Sequence, residues 1–224
     1  MTSHFEIGPE EYERRREGHM QRRRQELVSE TIRAHASPGA VVVELGCGPG
    51  ALVAALAEEW PALGFLGCDL EERMIEHARR AHVRPNLSFE VIDLQADVPP
   101  SPAQVAFSVD LVHHVHDLDA FLGNVRSLLG RHGVWLLIEP NSLHPYVFVK
   151  QERMRRRGLD EVHFRQLRFR ARLGPAGLSV ENRRTAFALP GSVRRAPRPL
   201  AMLERVVERV PCFGGSVVYV VRAA

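Results

Sequence analysis

The stretch VVVELGCGPGALVAAL, Val41 to Leu56, constrains the fold more than any other. An apolar run led by three valines meets a carboxylate, then three glycines at alternate positions, then an alanine- and leucine-rich segment. Valine is stiff at χ1 and suits a pleated strand. Closely spaced glycines supply backbone conformations that other residues resist, and the residues after them have the character of a helix start. A strand that turns tightly into a helix is the opening unit of an open α/β sheet, whose ligands sit at the carboxyl ends of the strands.

The rest of the chain repeats that alternation. Strands are predicted at Ala40–Glu44, Gly64–Asp69, Leu87–Ile92, Gln104–Ser108 and Val134–Glu139, with helices at Gly50–Trp60, Glu71–Arg80 and Leu118–Leu129 between them. Strands and helices in this order predict a doubly wound, mostly parallel α/β sheet with helices on both faces. Further on, helices are expected at Pro145–Arg157, Asp160–Leu173 and Leu200–Val210, and strands at Leu178–Arg184 and Ser216–Val221. The charged segment Glu10–Arg33 contains no proline and reads as one helix. We therefore expect a helical N-terminal lid over residues 1–36 and a core over 37–224, with a helical cap inserted at about 142–176.

A chain of 224 residues holds one domain with a substantial core. It has no run of 18 apolar residues, and its first twenty residues lack an apolar signal core, so a cytoplasmic protein without a membrane span is expected. Cys47, Cys68 and Cys212 have no CxxC spacing, which argues against a disulfide framework and a zinc site. The arginine triplets at 14–16 and 22–24 are interleaved with glutamates, and a solvated helix face is expected there.

The glycine loop alone leaves the nucleotide open. Gly46, Gly48 and Ala51 satisfy G-x-G-x-x-G/A, and Asp69 follows Gly50 by 19 residues, as in a dinucleotide site. Glu44 argues otherwise, because a carboxylate beside the loop would repel a pyrophosphate. S-adenosylmethionine has no phosphate and carries an ammonium and a sulfonium, so an acid here suits it. Asp69 can accept from both ribose hydroxyls, Met74 can lie against the adenine, and Asp93 can accept from the adenine amino group. Three acids at three successive strand ends carry more weight than any one of them.

With these residues in view, the chain resembles the class I S-adenosylmethionine-dependent methyltransferases, in the small group related to ubiquinone/menaquinone C-methyltransferases and natural-product methyltransferases. VVVELGCGPG, FLGCDLEERMIEHAR and LSFEVIDLQADVP carry the resemblance, with SVDLVHHVHDLDAFLGNVRSLLGRHGVWLLIEPN beyond them, over about residues 37–141. It implies a seven-stranded Rossmann-like sheet with an antiparallel last strand. It also implies that Glu44, Gly46, Cys47, Gly48 and Gly50 surround the methionine portion, that Asp69 and Leu70 hold the ribose beside Met74, and that Asp93 and Leu94 hold the adenine. Cys47 departs from the small residue usual at its position.

Transfer of a methyl group from a sulfonium requires mainly alignment and exclusion of water. A base helps when the acceptor is protonated, and His114 or His113, after the fourth strand, is the expected one. His116, Glu139, Asn141, Tyr12 and Tyr146 are candidate acceptor contacts, with His19, Phe148 and His163 as further lining candidates. No metal is expected, because HHVH lacks a three-ligand geometry over four residues. Between Lys150 and Arg198, fourteen basic residues face four acids. That segment could attract an acidic small molecule, bind RNA or form a solvated face. The fourth strand lacks the D/N-P-P-Y/F signature of base-amino methyltransferases, so a small-molecule acceptor ranks first, a natural-product intermediate among the candidates. RNA or protein methylation and an NAD-dependent oxidoreductase are the alternatives, and the protein is expected as a monomer or homodimer.

Overall fold

The computed structural model describes residues 8–156, 164–189, 193–210 and 213–224. Seven strands form one sheet: β1 (Val41–Leu45), β2 (Gly64–Asp69), β3 (Leu87–Val91), β4 (Val105–Val109), β5 (Val134–Pro140), β6 (Leu178–Ala186) and β7 (Ser216–Ala223). Their order is β3-β2-β1-β4-β5-β7-β6, with β7 antiparallel to both neighbours and the other adjacent pairs parallel. The order reverses between β1 and β4, and a sheet of this kind opens a crevice at the carboxyl ends of those strands.

Alternate residues divide the core between the two faces. Val42, Phe65, Val105, Phe107, Leu136 and Ile138 pack with α2 (His19–His35), α3 (Ala51–Glu59) and α4 (Glu72–Ala81). Val43, Leu66, Ala106, Trp135 and Leu137 pack with α5 (Leu118–Leu129) and α7 (Gln166–Leu173). The central strands are buried on both faces and so read as continuous apolar runs.

The N-terminal segment departs from the single helix expected. It breaks into α1 (Pro9–Arg16) and α2 at Gly18, whose φ of +121° and ψ of −155° favour glycine. The break turns α1 over the glycine loop while α2 buries Leu27, Val28 and Ile32. The solvated face expected for the arginine triplets holds for Arg14, paired with Glu11, and fails for Arg23 and Arg24, which are buried. Two more helices complete the described chain, α6 (Pro145–Arg156) and α8 (Arg198–Val207). The beginning of the helix expected at Asp160–Leu173 lies outside the described residues, as do His163 and Cys212. Among the described residues no helix is long and apolar enough to cross a membrane.

Candidate active site

A cavity of about 1130 Å³ lies over the carboxyl ends of β1, β2 and β4. That exceeds the roughly 300–1,000 Å³ of ordinary small-molecule pockets, which leaves room for a nucleoside and a second molecule.

The turn after β1 forms one wall. Gly46 has φ +70°, a conformation that favours glycine, and a Cβ there would stand 2.7 Å from Leu111 Cδ1, so a larger residue would have to displace the Leu111 side chain. Gly48 donates its N–H to Asp69 Oδ2 at 2.7 Å, and Glu71 N donates to Oδ1 at 3.0 Å. Both carboxylate oxygens are thereby aimed, while burial raises the pKa of Asp69 against the pull of those N–H groups. Leu70, Met74, Ile92, Asp93 and Leu94 extend this wall. Asp93 is held by an Asx turn in which Gln95 N donates to Oδ1 at 2.9 Å.

Three residues expected at the ligand lie behind the wall. Glu44 is 4% exposed, and its Oε2 accepts from Val53 N at 3.1 Å, capping the first turn of α3. Burial pushes its pKa up to about 8, opposed by Arg16 and by the Val53 N–H. Cys47 and Gly50 support the loop from below, Gly50 against the ring of Phe89.

The turn after β4 forms the opposite wall. Glu139, fully buried at the end of β5, accepts from Leu111 N at 3.0 Å and Val112 N at 2.7 Å through Oε1. Its Oε2 lies 2.7 Å from His113 Nδ1. The carboxylate therefore shapes the turn and fixes the His113 ring, which packs 4.0 Å from His114 between centroids. His113, His114 and His116 line the cavity and Glu139 does not. Asn141 is also displaced from the candidate contacts. It is buried, donates to Gly214 O at 2.9 Å and accepts from Gln166 Nε2 at 3.0 Å, fastening the cap.

The lid and cap supply the roof. Tyr12, Arg16, Met20 and Arg24 come from α1 and α2, and Tyr146, Lys150 and Met154 from α6. Tyr12 and Tyr146 line it as anticipated. His19 instead meets Glu204 Oε2 at 2.6 Å, and Phe148 is not among the lining residues.

Sequence reasoning missed Arg16, Arg24 and Asp110. Arg24 donates to Asp110 Oδ2 at 2.7 Å and Arg16 to the same oxygen at 3.3 Å. Burial opposes the charge on Asp110, but the two guanidiniums outweigh it and hold that carboxyl below its ordinary range. Asp110 also adopts φ +55°, uncommon outside glycine. The signal available was spacing: Arg16, Met20 and Arg24 recur every four residues across the helix break. Phe187, Ala188 and Leu189, which close the far end, carried no signal.

A family model described as a methyltransferase domain matches residues 42–133, the segment holding the glycine loop, Asp69, Asp93 and the histidine turn. Over residues 42–133 the chain is thus similar to the class I S-adenosylmethionine-dependent methyltransferases. It is similar to a trans-aconitate 2-methyltransferase of Azoarcus, 32% identical over 103 residues, which cover 46% of this chain and 40% of that protein. It is also similar to the juvenile hormone acid O-methyltransferase of Bombyx mori, 30% identical over 102 residues, covering 43% and 37%. The match spans about two fifths of the length of these curated relatives. Among solved structures, the magnesium protoporphyrin IX methyltransferase of Synechocystis with bound SAH aligns at TM-score 0.63 and 17% identity, over 91% of this chain and 83% of that one. A putative methyltransferase of Haloferax volcanii, in complex with the activator Trm112, aligns at TM-score 0.66 and 21% identity, over 91% and 92%.

The cavity has residues that fit S-adenosylmethionine, the cofactor of the resembled family. Among the lining residues from β1 to β3 and the turns after them there is no arginine or lysine, whereas Asp69 and Asp93 are present. That donor set suits a cationic nucleoside with free ribose hydroxyls and opposes a pyrophosphate.

Proposed function

We propose that this protein is an S-adenosylmethionine-dependent methyltransferase acting on a small molecule that carries an acidic group, an intermediate of natural-product synthesis being the class to screen first. The observation that carries the reading is the single cavity running from the glycine loop, Asp69 and Asp93 to the His113–His114 turn under a basic roof. Bound there, S-adenosylmethionine supplies a methyl group on a sulfonium, already activated for displacement. Asp69 and Asp93 bind its nucleoside, and the loop backbone at Gly46 and Gly48 lies against it. Tyr12 and the rest of the lid exclude water.

His113 takes the acceptor's proton. A carboxylate can only accept, so His113 Nδ1 carries the hydrogen toward Glu139, and the other ring nitrogen is the basic one. Glu139 is thus a positioning residue and His113 the catalytic one, with His114 beside it in the wall. Among the described residues, Arg16, Arg24 and Lys150 outnumber Asp110 on the acceptor side, which favours an anionic group in the molecule bound there. The two relatives with acids in their names support the same choice.

Several arginines of the cap and its neighbours are engaged with acids, Arg155 and Arg156 with Glu152, Arg172 with Asp119 and Arg184 with Glu30. This weighs against a phosphate-binding groove for RNA.

The test is calorimetric titration with S-adenosylmethionine, S-adenosylhomocysteine and NAD, followed by a methylation screen over hydroxy and phenolic acids and their esters. Micromolar binding of the first two ligands, with turnover of the free acids above that of the esters, is expected. Preference for NAD would overturn the cofactor assignment, and equal turnover of acids and esters would overturn the acidic acceptor.

A further inference from the structure

Away from the cavity walls, the lid helix meets α4 through an unusual group of side chains. Glu13 of α1, His77 of α4 and His82 just beyond α4 bring one ligand atom each within 4.8 Å of one another. His82 Nε2 lies 2.8 Å from Glu13 Oε1, and His77 Nε2 lies 3.6 Å from Glu13 Oε2. The second distance is too long for a hydrogen bond. His77 is 9% exposed, and its Nε2 is buried with no hydrogen-bond partner. Buried nitrogens of this kind are normally satisfied.

We propose that Glu13, His77 and His82 bind a divalent transition-metal ion of the zinc class, which pins the lid helix to α4. Two imidazoles and a carboxylate form a donor set that zinc takes up readily. Ligand atoms of a tetrahedral ion bound at about 2.0–2.1 Å stand roughly 3.3 Å apart, and the two Glu13 distances bracket that value. An ion there would engage the orphan His77 nitrogen together with His82 Nε2 and one Glu13 oxygen. Glu10 supports the arrangement, its Oε1 lying 3.3 Å from His77 Nδ1, where a ligating histidine commonly has a carboxylate partner.

The ion's position couples it to the site. Tyr12 precedes Glu13 and Arg16 follows by three residues, and both line the cavity, while Met74 lies one turn before His77 on α4. The ring of His82 stands 6.5 Å from that of Phe89, the residue beneath Gly50. Spacing hid the site, since Glu13 is 64 residues from His77.

The experiment uses the full, untagged chain after chelator treatment, titrated with zinc by calorimetry and with cobalt by visible absorption. Expected are one ion per chain at micromolar affinity or better, tetrahedral cobalt bands, and zinc-dependent protection of α1 from protease. Glu13→Gln, at a partly exposed helix position, and His82→Asn should each weaken binding by about tenfold or more and abolish the protection. No binding in the micromolar range, or binding unchanged in both variants, would overturn the proposal. Circular dichroism of each variant separates loss of the site from loss of the fold.

Discussion

His113 Nδ1 stands 2.7 Å from Glu139 Oε2, while Glu139 Oε1 takes the N–H groups of Leu111 and Val112. One buried carboxylate thus shapes the turn and selects the tautomer of the ring. In Glu139→Gln, the side-chain oxygen can still accept from Leu111 and Val112, but the amide NH2 then faces Nδ1 and forces it to accept. The proton moves to the other ring nitrogen, and the proposed base is lost. We expect kcat to fall by about 10²–10⁴-fold with donor affinity and circular dichroism unchanged. An unchanged kcat would remove His113 from the chemistry.

Asp69 uses its oxygens to receive Gly48 N and Glu71 N, so it serves the loop as well as a ligand. Asp69→Ala leaves the Gly48 N–H without its acceptor and removes the only carboxylate of β2 that lines the cavity. Calorimetry should record a loss of donor affinity of at least roughly 10- to 100-fold. Wild-type affinity in this variant would return the glycine loop to a purely structural role.

Lys150 is the chain's sole lysine and lines the acceptor side from α6. Being exposed, it contributes modestly, and Lys150→Met should raise KM for an acidic acceptor roughly two- to fivefold without changing donor affinity. Added salt should narrow the difference between variant and wild type. A KM increase that persists for the neutral ester would assign the effect to packing instead.

Gly50 and Gly39 separate two costs of replacing glycine. Both have positive φ, +89° and +79°, but a Cβ on Gly50 would stand 2.6 Å from the Phe89 ring, whereas Gly39 has nothing within 4 Å. Gly39→Ala should therefore lose only the backbone part, ~1–2 kcal/mol. Gly50→Ala adds overpacking and should lose ~2–4 kcal/mol. Denaturant unfolding measures both, and equal losses would mean that Phe89 yields freely.

The strands and the three strand-end acids were legible because periodicity and punctuation are local. β2 and α5 begin and end where the residues predict. Which way a strand-end side chain turns is not local. Glu44, Asp69 and Asp93 look alike in sequence, yet Glu44 turns under α3 while the other two line the cavity. Glu139 and Asn141 likewise resemble site residues and work as buried fasteners. The basic roof was hidden for another reason: Arg16 and Arg24 lie in triplets that read as solvated, and only the turn at Gly18 brings both to one carboxylate.

The position of Glu44 has a thermodynamic consequence that can be measured without any ligand. Its carboxyl, ordinarily titrating near 4.5, is pushed by burial to about 8. A folded-state pKa above the unfolded value means that between these limits the folded chain holds a proton the unfolded chain has released. The associated stability is full below pH 4.5 and is lost as pH rises toward and through 8. Glu44→Gln keeps an oxygen for the Val53 N–H and removes the titration. Measured against the wild type by denaturant unfolding, the variant should gain about 3 kcal/mol as pH is raised from about 5.5 to about 8.5. The slope of the difference isolates Glu44, since the other titrating groups are shared. A difference independent of pH would mean that Glu44 is ionised in the folded chain, its burial outweighed by Arg16 and the α3 amides.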